Sequence, residues 1–342
     1  MTSTFNWAAM PKVCLHEHID GGLRPATLLE LSRLKGIELP HQEPAAIAQW
    51  MADNANSGSL VRYLEGFSYT VDGMATLEAC ERVAFELAQD SITDGCVLAE
   101  FRMAPQLFEP FGLSNEAVIE AFIAGMQKSG LASGLIICGM RHHAPEVTAV
   151  AAQLAAKYAG KGVVAFDLAG PEFGFPAKDH EKAIHIARDA GLGITLHAGE
   201  ADAGHQVIEA ARLGATRIGH GVNVVRQEAD GSPRWTDQAK ALGLHFEVCP
   251  SSNVHTGAAT SIAAHPIRAM LDAGLSLSCS TDNRLMSDTT LCKELELIHQ
   301  QANVSLQEII AMQYAGIEAS FLPEDVKAVA KAKVQAWEKA QA

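Results

Sequence analysis

Two histidines separated by one residue, His16 and His18, follow a short apolar run near the start of the chain. The run at residues 13–15 predicts a buried β-strand that ends at these histidines. Alternate residues of a strand point to the same face, so both imidazoles are expected to converge on one point. Neutral imidazoles in this arrangement are typical metal ligands. On its own the pair also has an incidental explanation, so a metal site requires ligands from elsewhere in the chain.

Polar residues follow similar apolar segments later in the chain, and they include His197, Glu200, His220 and Asp282. His197 and Asp282 would complete, with the first pair, a nitrogen and oxygen set that suits zinc and leaves a position open for water. Zinc lowers the pKa of bound water from 15.7 to roughly 7. Glu200 could move a proton from water to a leaving group, and His220 could orient the water or stabilise developing charge.

Each of these residues also has a structural explanation when it is taken alone. A histidine at a strand end is commonly a hydrogen-bonded structural residue, and Asp282 could cap the segment that follows it. These explanations are independent, yet each must place a polar residue at the same end of a different strand. It is improbable that so many polar residues occupy equivalent strand ends by chance, so the sequence favours a metal site.

Short apolar segments alternate with helical patterns, which is typical of a parallel sheet. The pattern predicts strands at residues 12–18, 95–103, 133–141, 163–169, 193–199, 215–220, 244–249 and 275–281. Eight strand–helix units predict an α/β fold, a (β/α)8 TIM barrel that forms one domain over residues 1–342, with a helical insertion after strand 1 and C-terminal helices. An open doubly wound sheet is the alternative, but no G-x-G-x-x-G motif follows the first strand. In a barrel, the strand ends surround one mouth, where distant polar residues meet.

The amino-acid composition limits the kinds of molecule that this protein is expected to bind. The formal net charge of −14 argues against nucleic acid. No segment approaches the ~18 consecutive apolar residues of a membrane span, and the N-terminus does not resemble a signal peptide. Seven scattered cysteines without a C-x-x-C motif favour reduced core residues in the cytoplasm. These features predict a cytoplasmic protein that acts on a small molecule without a nucleic-acid or membrane partner, and they leave the oligomeric state open.

Other polar residues are expected to be structural. Arg102 alternates with apolar residues in the second strand, which predicts a buried ion pair. Glu17 points away from its histidine neighbours and would support the site or the fold. His142 and His143 are predicted to form a solvated or hydrogen-bonded loop pair after strand 3. Cys249 is predicted to be a core residue, because no basic partner is evident for it.

These segments together resemble the adenosine deaminase family of amidohydrolase-type (β/α)8 enzymes. The matching motifs are LHEHIDGG at 15–22, DLAGPE at 167–172, LHAGE at 196–200, RIGHG at 217–221, CPSSN at 249–253 and STDN at 280–283. They occur in the family's order from the first strand to the last, which is far more specific than H-x-H alone. The resemblance implies a purine-salvage hydrolase that converts adenosine to inosine and ammonia and deaminates 2′-deoxyadenosine in the same way.

The resemblance also implies a role for each site residue. One zinc ion per chain would be held by His16, His18, His197 and Asp282. Glu200 would give a proton to N1 of the purine, and His220 would orient the attacking hydroxide. Asp20 would lie near the ribose, and the backbone N–H of Gly170 near purine N3. His18 would lie against the substrate as well as the metal.

A flap over the pocket would come from residues 60–70. Its apolar candidates are Leu64, Phe67 and Tyr69, for which ordinary helix packing is the alternative. The chain departs from the family's pattern at Asn283, where many relatives have a second acid that contacts purine N7. An amide can donate to N7 directly, whereas an acid must first be protonated. Pro171 also replaces an acid, but it leaves the N–H of Gly170 intact.

These departures keep other substrates open, namely adenine or an adenosine modified at the 5′ position. A non-catalytic nucleoside-binding relative is a further alternative, which the complete ligand set and proton donor disfavour. The H-x-E and P-C-x-x-C signature of the other zinc deaminase class is absent from the sequence. The expected ligand is therefore a free purine base or nucleoside.

Overall fold

The computed structural model describes residues 5–56, 66–227 and 235–341. Within them, eight parallel strands form a sheet in chain order. They are β1 Lys12–His18, β2 Cys96–Met103, β3 Ser133–Met140, β4 Val163–Ala169, β5 Gly193–Ala198, β6 Arg217–His220, β7 His245–Val248 and β8 Ser276–Cys279. Each predicted strand is present, and its ends differ from the prediction by two residues or fewer. The predicted (β/α)8 architecture is confirmed.

The sheet closes through the residues that follow β8. The backbone N–H of Asp282 donates to the carbonyl of His16 at 2.9 Å, and the N–H of His18 donates to the carbonyl of Asp282 at 2.7 Å. The first strand is therefore joined to the last at the carboxyl end of the barrel. This junction brings residues from opposite ends of the chain to one mouth.

Helices cover the outside of the barrel and its mouth. The insertion after β1 holds α1 Pro25–Lys35, α2 Pro44–Ala55, α3 Phe67–Met74 and α4 Leu77–Thr93. Between later strands lie α5 Asn115–Ser129, α6 Pro145–Lys157, α7 Glu181–Asp189, α8 His205–Arg212, α9 Thr236–Ala241, α10 Pro250–His255 and α11 Ile267–Asp272. After β8 come α12 Leu291–Gln301, α13 Leu306–Ala319 and α14 Glu324–Gln341. The insertion and the C-terminal helices match the prediction, and no helix in the described ranges is long and apolar enough to span a bilayer.

Local sequence signals set several helix ends. The Thr76 side chain accepts a hydrogen bond from the Ala79 N–H at the start of α4, and Ser114 caps α5 in the same way. Ser305 and Glu308 form a reciprocal capping box at the start of α13. Such side chains satisfy N–H groups that the helix itself leaves unpaired. These caps fix the helices that pack against the strands.

The interior of the barrel contains a buried ionic network. Arg102 from β2 donates to Asp167 of β4 at 2.8 Å and to Glu247 of β7 at 2.5 Å. Arg217 of β6 bridges Glu247 and Glu100, at 2.6 Å in each case. All five side chains are buried, so the predicted ion pair of Arg102 is confirmed and is larger than expected. Because each charge has a partner of opposite sign, burial here is compatible with folding.

Glu17 and Cys249 also take structural positions. Glu17 is buried and accepts from Arg284 Nε at 2.7 Å, while Arg284 also donates to Asp94 at 2.6 Å. This ion pair fastens the end of β1 to the segment after β8. The Cys249 thiol is fully buried, and burial raises its pKa well above the usual value. Both residues therefore support the fold, as the sequence indicated.

Candidate active site

A cluster of nitrogen and oxygen ligands forms at the carboxyl ends of β1, β5 and β6 and after β8. One ligand atom from each of His16, His197, His220 and Asp282 lies within 4.8 Å of the others. His18 joins this cluster, since its Nε2 lies 3.4 Å from both His197 Nε2 and Asp282 Oδ1. The structure thus brings together all four residues predicted as metal ligands and adds His220 beside them.

Two of the histidines, His16 and His197, are oriented by carboxylates behind them. His16 Nδ1 lies 2.8 Å from Glu247 Oε2, and His197 Nδ1 lies 2.9 Å from Asp167 Oδ2. A carboxylate at Nδ1 keeps the hydrogen there and leaves the Nε2 lone pair free for a metal. Both Nε2 atoms belong to the cluster, so the rings are turned as metal ligands require.

His16 supplies the sharpest test of whether a metal fits. Its Nε2 is buried and makes no hydrogen bond, although Asp282 Oδ1 lies 3.3 Å away. Burial, reinforced by the positive charge of Arg102, lowers the pKa of His16 to about 4. A neutral imidazole with an orphaned nitrogen costs free energy unless a ligand occupies that nitrogen. The donor set therefore fits a divalent cation.

Two site residues adopt a backbone conformation that is rare outside glycine. His220 has φ 62° and Asp282 has φ 61°. Such conformations cost about 1–3 kcal/mol and concentrate at functional sites. At Asp282 this conformation allows the backbone to close the barrel while the carboxylate faces the histidines. Nothing in the sequence around either residue indicates this strain.

Glu200 lies in a buried pocket of hydrogen-bond donors. Its Oε1 accepts from Thr256 Oγ1 at 3.0 Å and from Asn253 Nδ2 at 3.3 Å, while its Oε2 lies 3.6 Å from His220 Nε2. Burial raises the pKa of Glu200, which favours the protonated carboxyl that a general acid needs. Glu172 fixes the backbone around Glu200, since its carboxylate accepts hydrogen bonds from the N–H groups of residues 199–202.

The cluster, apart from the fully buried His16, forms the floor of a cavity of about 530 Å³. The predicted substrate residues line this cavity, namely His18, Asp20, Gly170 and Asn283. Asp20 Oδ1 and Asn283 Oδ1 are buried without a hydrogen-bond partner, and burial raises the pKa of Asp20 to about 7. Unpaired buried polar atoms at a cavity wall are suited to a polar ligand.

Two glycines allow close approach at this cavity. A Cβ on Gly21 would lie 1.9 Å from Asn283 Oδ1, so only glycine leaves room for that amide. Gly170 has φ +96°, a conformation that other residues rarely adopt. These positions explain why glycine occurs in both motifs.

The flap candidates take different positions. Leu64 lies outside the described residues. Phe67, at the start of α3, is half-buried and lines the cavity. Tyr69 instead packs edge-on against Trp50, with ring centroids 5.5 Å apart, which agrees with the helix-packing alternative.

The histidine pair after β3 lies partly at the cavity. His142 lines the cavity, and its ring packs edge-on against that of His143 with centroids 4.5 Å apart. The predicted loop pair is therefore present, but one member also borders the site.

Sequence reasoning missed the residues that orient the site. Asp167 and Glu172 lie in the DLAGPE motif, which does not indicate their roles, and Glu247 lies among apolar residues of β7. Asn253 was part of the CPSSN motif without a function. An acid in the middle of a buried strand is the one signal that could have identified Glu247, because such a charge requires a partner.

Comparison with known proteins defines the class of this site. A family model described as adenosine deaminase matches residues 11–337. Adenosine deaminase of Mycobacterium tuberculosis (strain ATCC 25618 / H37Rv) is 40% identical over 332 residues, which cover 92% of this chain and 90% of the relative. Arabidopsis ADAL solved with IMP has a TM-score of 0.85 at 25% identity and covers 97% and 98% of the two chains. A cog1816 amidohydrolase from Burkholderia ambifaria, solved with bound Zn, shares the fold, with a TM-score of 0.84, 22% identity and coverage of 97% and 93%.

The fold and site define an amidohydrolase-type enzyme with a cluster compatible with a metal ion beside one cavity. The chain belongs to the adenosine deaminase family. The resemblance inferred from six short motifs is thereby confirmed.

Proposed function

We propose that this protein catalyses the zinc-dependent hydrolytic deamination of adenosine to inosine and ammonia, and of 2′-deoxyadenosine to 2′-deoxyinosine and ammonia, in cytoplasmic purine salvage. One observation carries the proposal: a buried carboxyl, Glu200, lies beside the histidine and aspartate cluster at the floor of one cavity. A metal centre next to a proton donor is the arrangement that hydrolytic deamination requires.

The proposed metal ligands are His16, His18, His197 and Asp282. Three imidazoles and one carboxylate form a set that suits zinc. The orphaned Nε2 of His16 supports this assignment. When bound, zinc supplies Lewis-acid activation of water at neutral pH. A zinc-containing protein of the same fold agrees with this choice of metal.

Glu200 and His220 would move and place the protons. A proton on Glu200 passes to N1 of the purine, which makes C6 more electrophilic. His220 orients the water that attacks C6. The C6–N bond then breaks, the amino group leaves as ammonia, and the water oxygen remains on the product. One adenosine and one water thus give one inosine and one ammonia.

The charge of the cavity favours a nucleoside over a nucleotide. Its described lining includes Asp20, Asp72, Glu200 and Asp282 but neither Lys nor Arg. A phosphate group requires cationic or N–H partners, so IMP-like ligands fit these walls poorly. The unpaired Oδ1 of Asp20 is suited to a sugar hydroxyl, which favours adenosine over adenine. Asn283 and Pro171 leave adenine or a 5′-modified adenosine as the second candidate.

A substrate panel on zinc-loaded protein tests the proposal. We expect kcat/KM to be highest for adenosine and 2′-deoxyadenosine, with ammonia released in equal amount to inosine. Adenine, AMP and a 5′-modified adenosine should be poorer substrates, and protein stripped of metal should be inactive. Failure to convert adenosine in the presence of zinc would contradict the proposal, whereas a preference for adenine would establish the second candidate.

Replacing Asp20 with Asn tests the sugar contact. Above pH 7, where the Asp20 carboxyl with its raised pKa is ionised, we expect kcat/KM for adenosine to fall by about 10–100-fold, the value of a hydrogen bond to a charged group. The loss should be smaller for the deoxyadenosine that lacks the contacted hydroxyl. Rates for the 2′-, 3′- and 5′-deoxy nucleosides are compared between the wild type and the variant. This comparison identifies the contacted hydroxyl in the same way as a double-mutant cycle identifies an interacting pair. An equal loss on adenosine and on all three analogues would show that Asp20 does not contact the sugar.

A further inference from the structure

A hydrogen-bond relay reaches the active site from the start of α11. The backbone N–H of Ile267 donates to Nδ1 of His265 at 3.0 Å. Burial, reinforced by the positive charge of Arg226, lowers the pKa of His265 to about 3, so its ring is neutral. A neutral ring that accepts at Nδ1 carries its hydrogen on Nε2. That Nε2 lies 3.1 Å from Asn253 Oδ1 and donates to it.

The relay fixes the orientation of the Asn253 amide. Because Oδ1 accepts from His265, the two hydrogens on Nδ2 point the other way. They meet His220 Nδ1 at 3.0 Å and Glu200 Oε1 at 3.3 Å. A flipped amide would place its oxygen against the Glu200 oxygen and its N–H groups against the His265 N–H. Asn253 is fully buried, so no solvent would relieve that mismatch.

The orientation of Asn253 determines where two hydrogens lie in the site. His220 accepts at Nδ1, so its ring hydrogen lies on Nε2, the atom 3.6 Å from Glu200 Oε2. A nitrogen that carries hydrogen cannot ligate a metal, which separates His220 from the other members of the cluster. Glu200 Oε1 receives hydrogen bonds from both Asn253 and Thr256. A proton on this carboxyl therefore lies on Oε2.

We propose that Asn253, oriented by His265, is a positioning residue that places the hydrogen of His220 on Nε2 and the proton of Glu200 on Oε2. The consequence for rate rests on the proposed deamination, whereas the placement of hydrogens does not. His220 then acts as a hydrogen-bond donor to water and not as a metal ligand. Because Nε2 of His220 itself carries a hydrogen, the proton on Glu200 Oε2 must point away from that ring and into the cavity, where the purine ring must lie.

Nitrogen-15 NMR of histidine-labelled protein tests the placement directly. Nδ1 of His220 should have the chemical shift of an unprotonated ring nitrogen, and Nε2 that of a protonated one. A His220→Gln variant assigns these signals. The same pattern is expected in metal-free and zinc-loaded protein. A hydrogen on Nδ1 of His220, or a direct zinc effect that identifies Nε2 as a ligand, would overturn the proposal.

Variants test the relay through kinetics. Asn253→Asp removes both N–H donors without changing shape, and we expect kcat to fall roughly 10²-fold with little change in KM. His265→Leu should lower kcat by roughly 10-fold, the value of the one neutral hydrogen bond that orients the Asn253 amide. His265→Gln is the matched control, because its amide N–H can replace Nε2–H and should restore most of the rate.

The outcomes separate this proposal from the proposed function. Equal losses in His265→Gln and His265→Leu would show that the residue packs rather than orients, and would contradict the relay. The wild-type NMR measurement remains decisive even if a variant fails to fold. Absence of adenosine turnover by the wild-type protein would overturn the proposed function, while the His220 tautomer would still confirm or refute the hydrogen placement.

Discussion

Replacing Glu200 with Gln is expected to lower kcat for adenosine by roughly 10⁴-fold, the upper end of the range for general acid–base catalysis. Glutamine keeps the size of the side chain and an oxygen that can accept from Thr256 and Asn253. It lacks the acidic proton that the purine N1 requires. The fold and the metal ligands are not altered, so the zinc content should equal that of the wild type. Steady-state kinetics and elemental analysis of the same preparation check both expectations.

Thr256→Val provides a matched control for this experiment. It removes one hydrogen bond to the same carboxyl, 3.0 Å long, and preserves both the volume of the side chain and the acid. Its effect on kcat should be roughly tenfold, because one neutral hydrogen bond contributes about 0.5–1.5 kcal/mol. Wild-type activity in Glu200→Gln would exclude Glu200 as the proton donor. Loss of zinc in that variant would instead indicate that the carboxyl supports the metal.

Replacing Arg102 with Met is expected to lower the free energy of unfolding by about 3–5 kcal/mol, the usual cost of leaving a buried charge without its partner. Arg102 is fully buried between Asp167 and Glu247. These two carboxylates also orient His197 and His16, so zinc affinity should fall as well, by about 10–100-fold. Denaturation by urea and competition with a chromophoric chelator measure the two effects.

Arg82→Met is the corresponding control on the surface. Arg82 of α4 pairs with Glu30 and Glu86, but its side chain is 37% exposed. Such exposed pairs contribute about 0.2–1 kcal/mol, and zinc affinity should not change. If the two arginine variants were equally stable, the buried network would not hold the barrel together. If Arg102→Met lowered the free energy of unfolding without changing zinc affinity, Asp167 and Glu247 would orient the histidines without help from Arg102.

The strands could be predicted because parallel barrel strands are buried on both faces. β3 and β4 therefore appear as almost continuous apolar runs, which alternate with helical patterns. The site could be predicted because a barrel collects its strand ends at one mouth. This rule predicts that His16 and Asp282 meet, although 266 positions separate them in the sequence, and their side chains do lie 3.3 Å apart.

The residues that orient these side chains could not be predicted, because their contacts form only when distant parts of the chain have folded together. Glu247 orients His16 only because β7 and β1 face each other across the barrel, and no local pattern encodes that distance. The role of Asn253 depends on which way its amide points, and His265 determines this through a contact made only in the folded chain. The strained backbone of Asp282 likewise follows from closure of the sheet.

Closure of the barrel through Asp282 has a consequence for the order of events during synthesis. The ligand cluster draws on residue 16 and residue 282, and the same residues join the first strand to the last. A ribosome-bound chain lacks Asp282, the last of the proposed ligands, until all eight strands have been synthesised. The metal would therefore be captured with full affinity only by a chain that has completed its barrel. A prematurely ended chain could retain folded strands, but it would have no working centre.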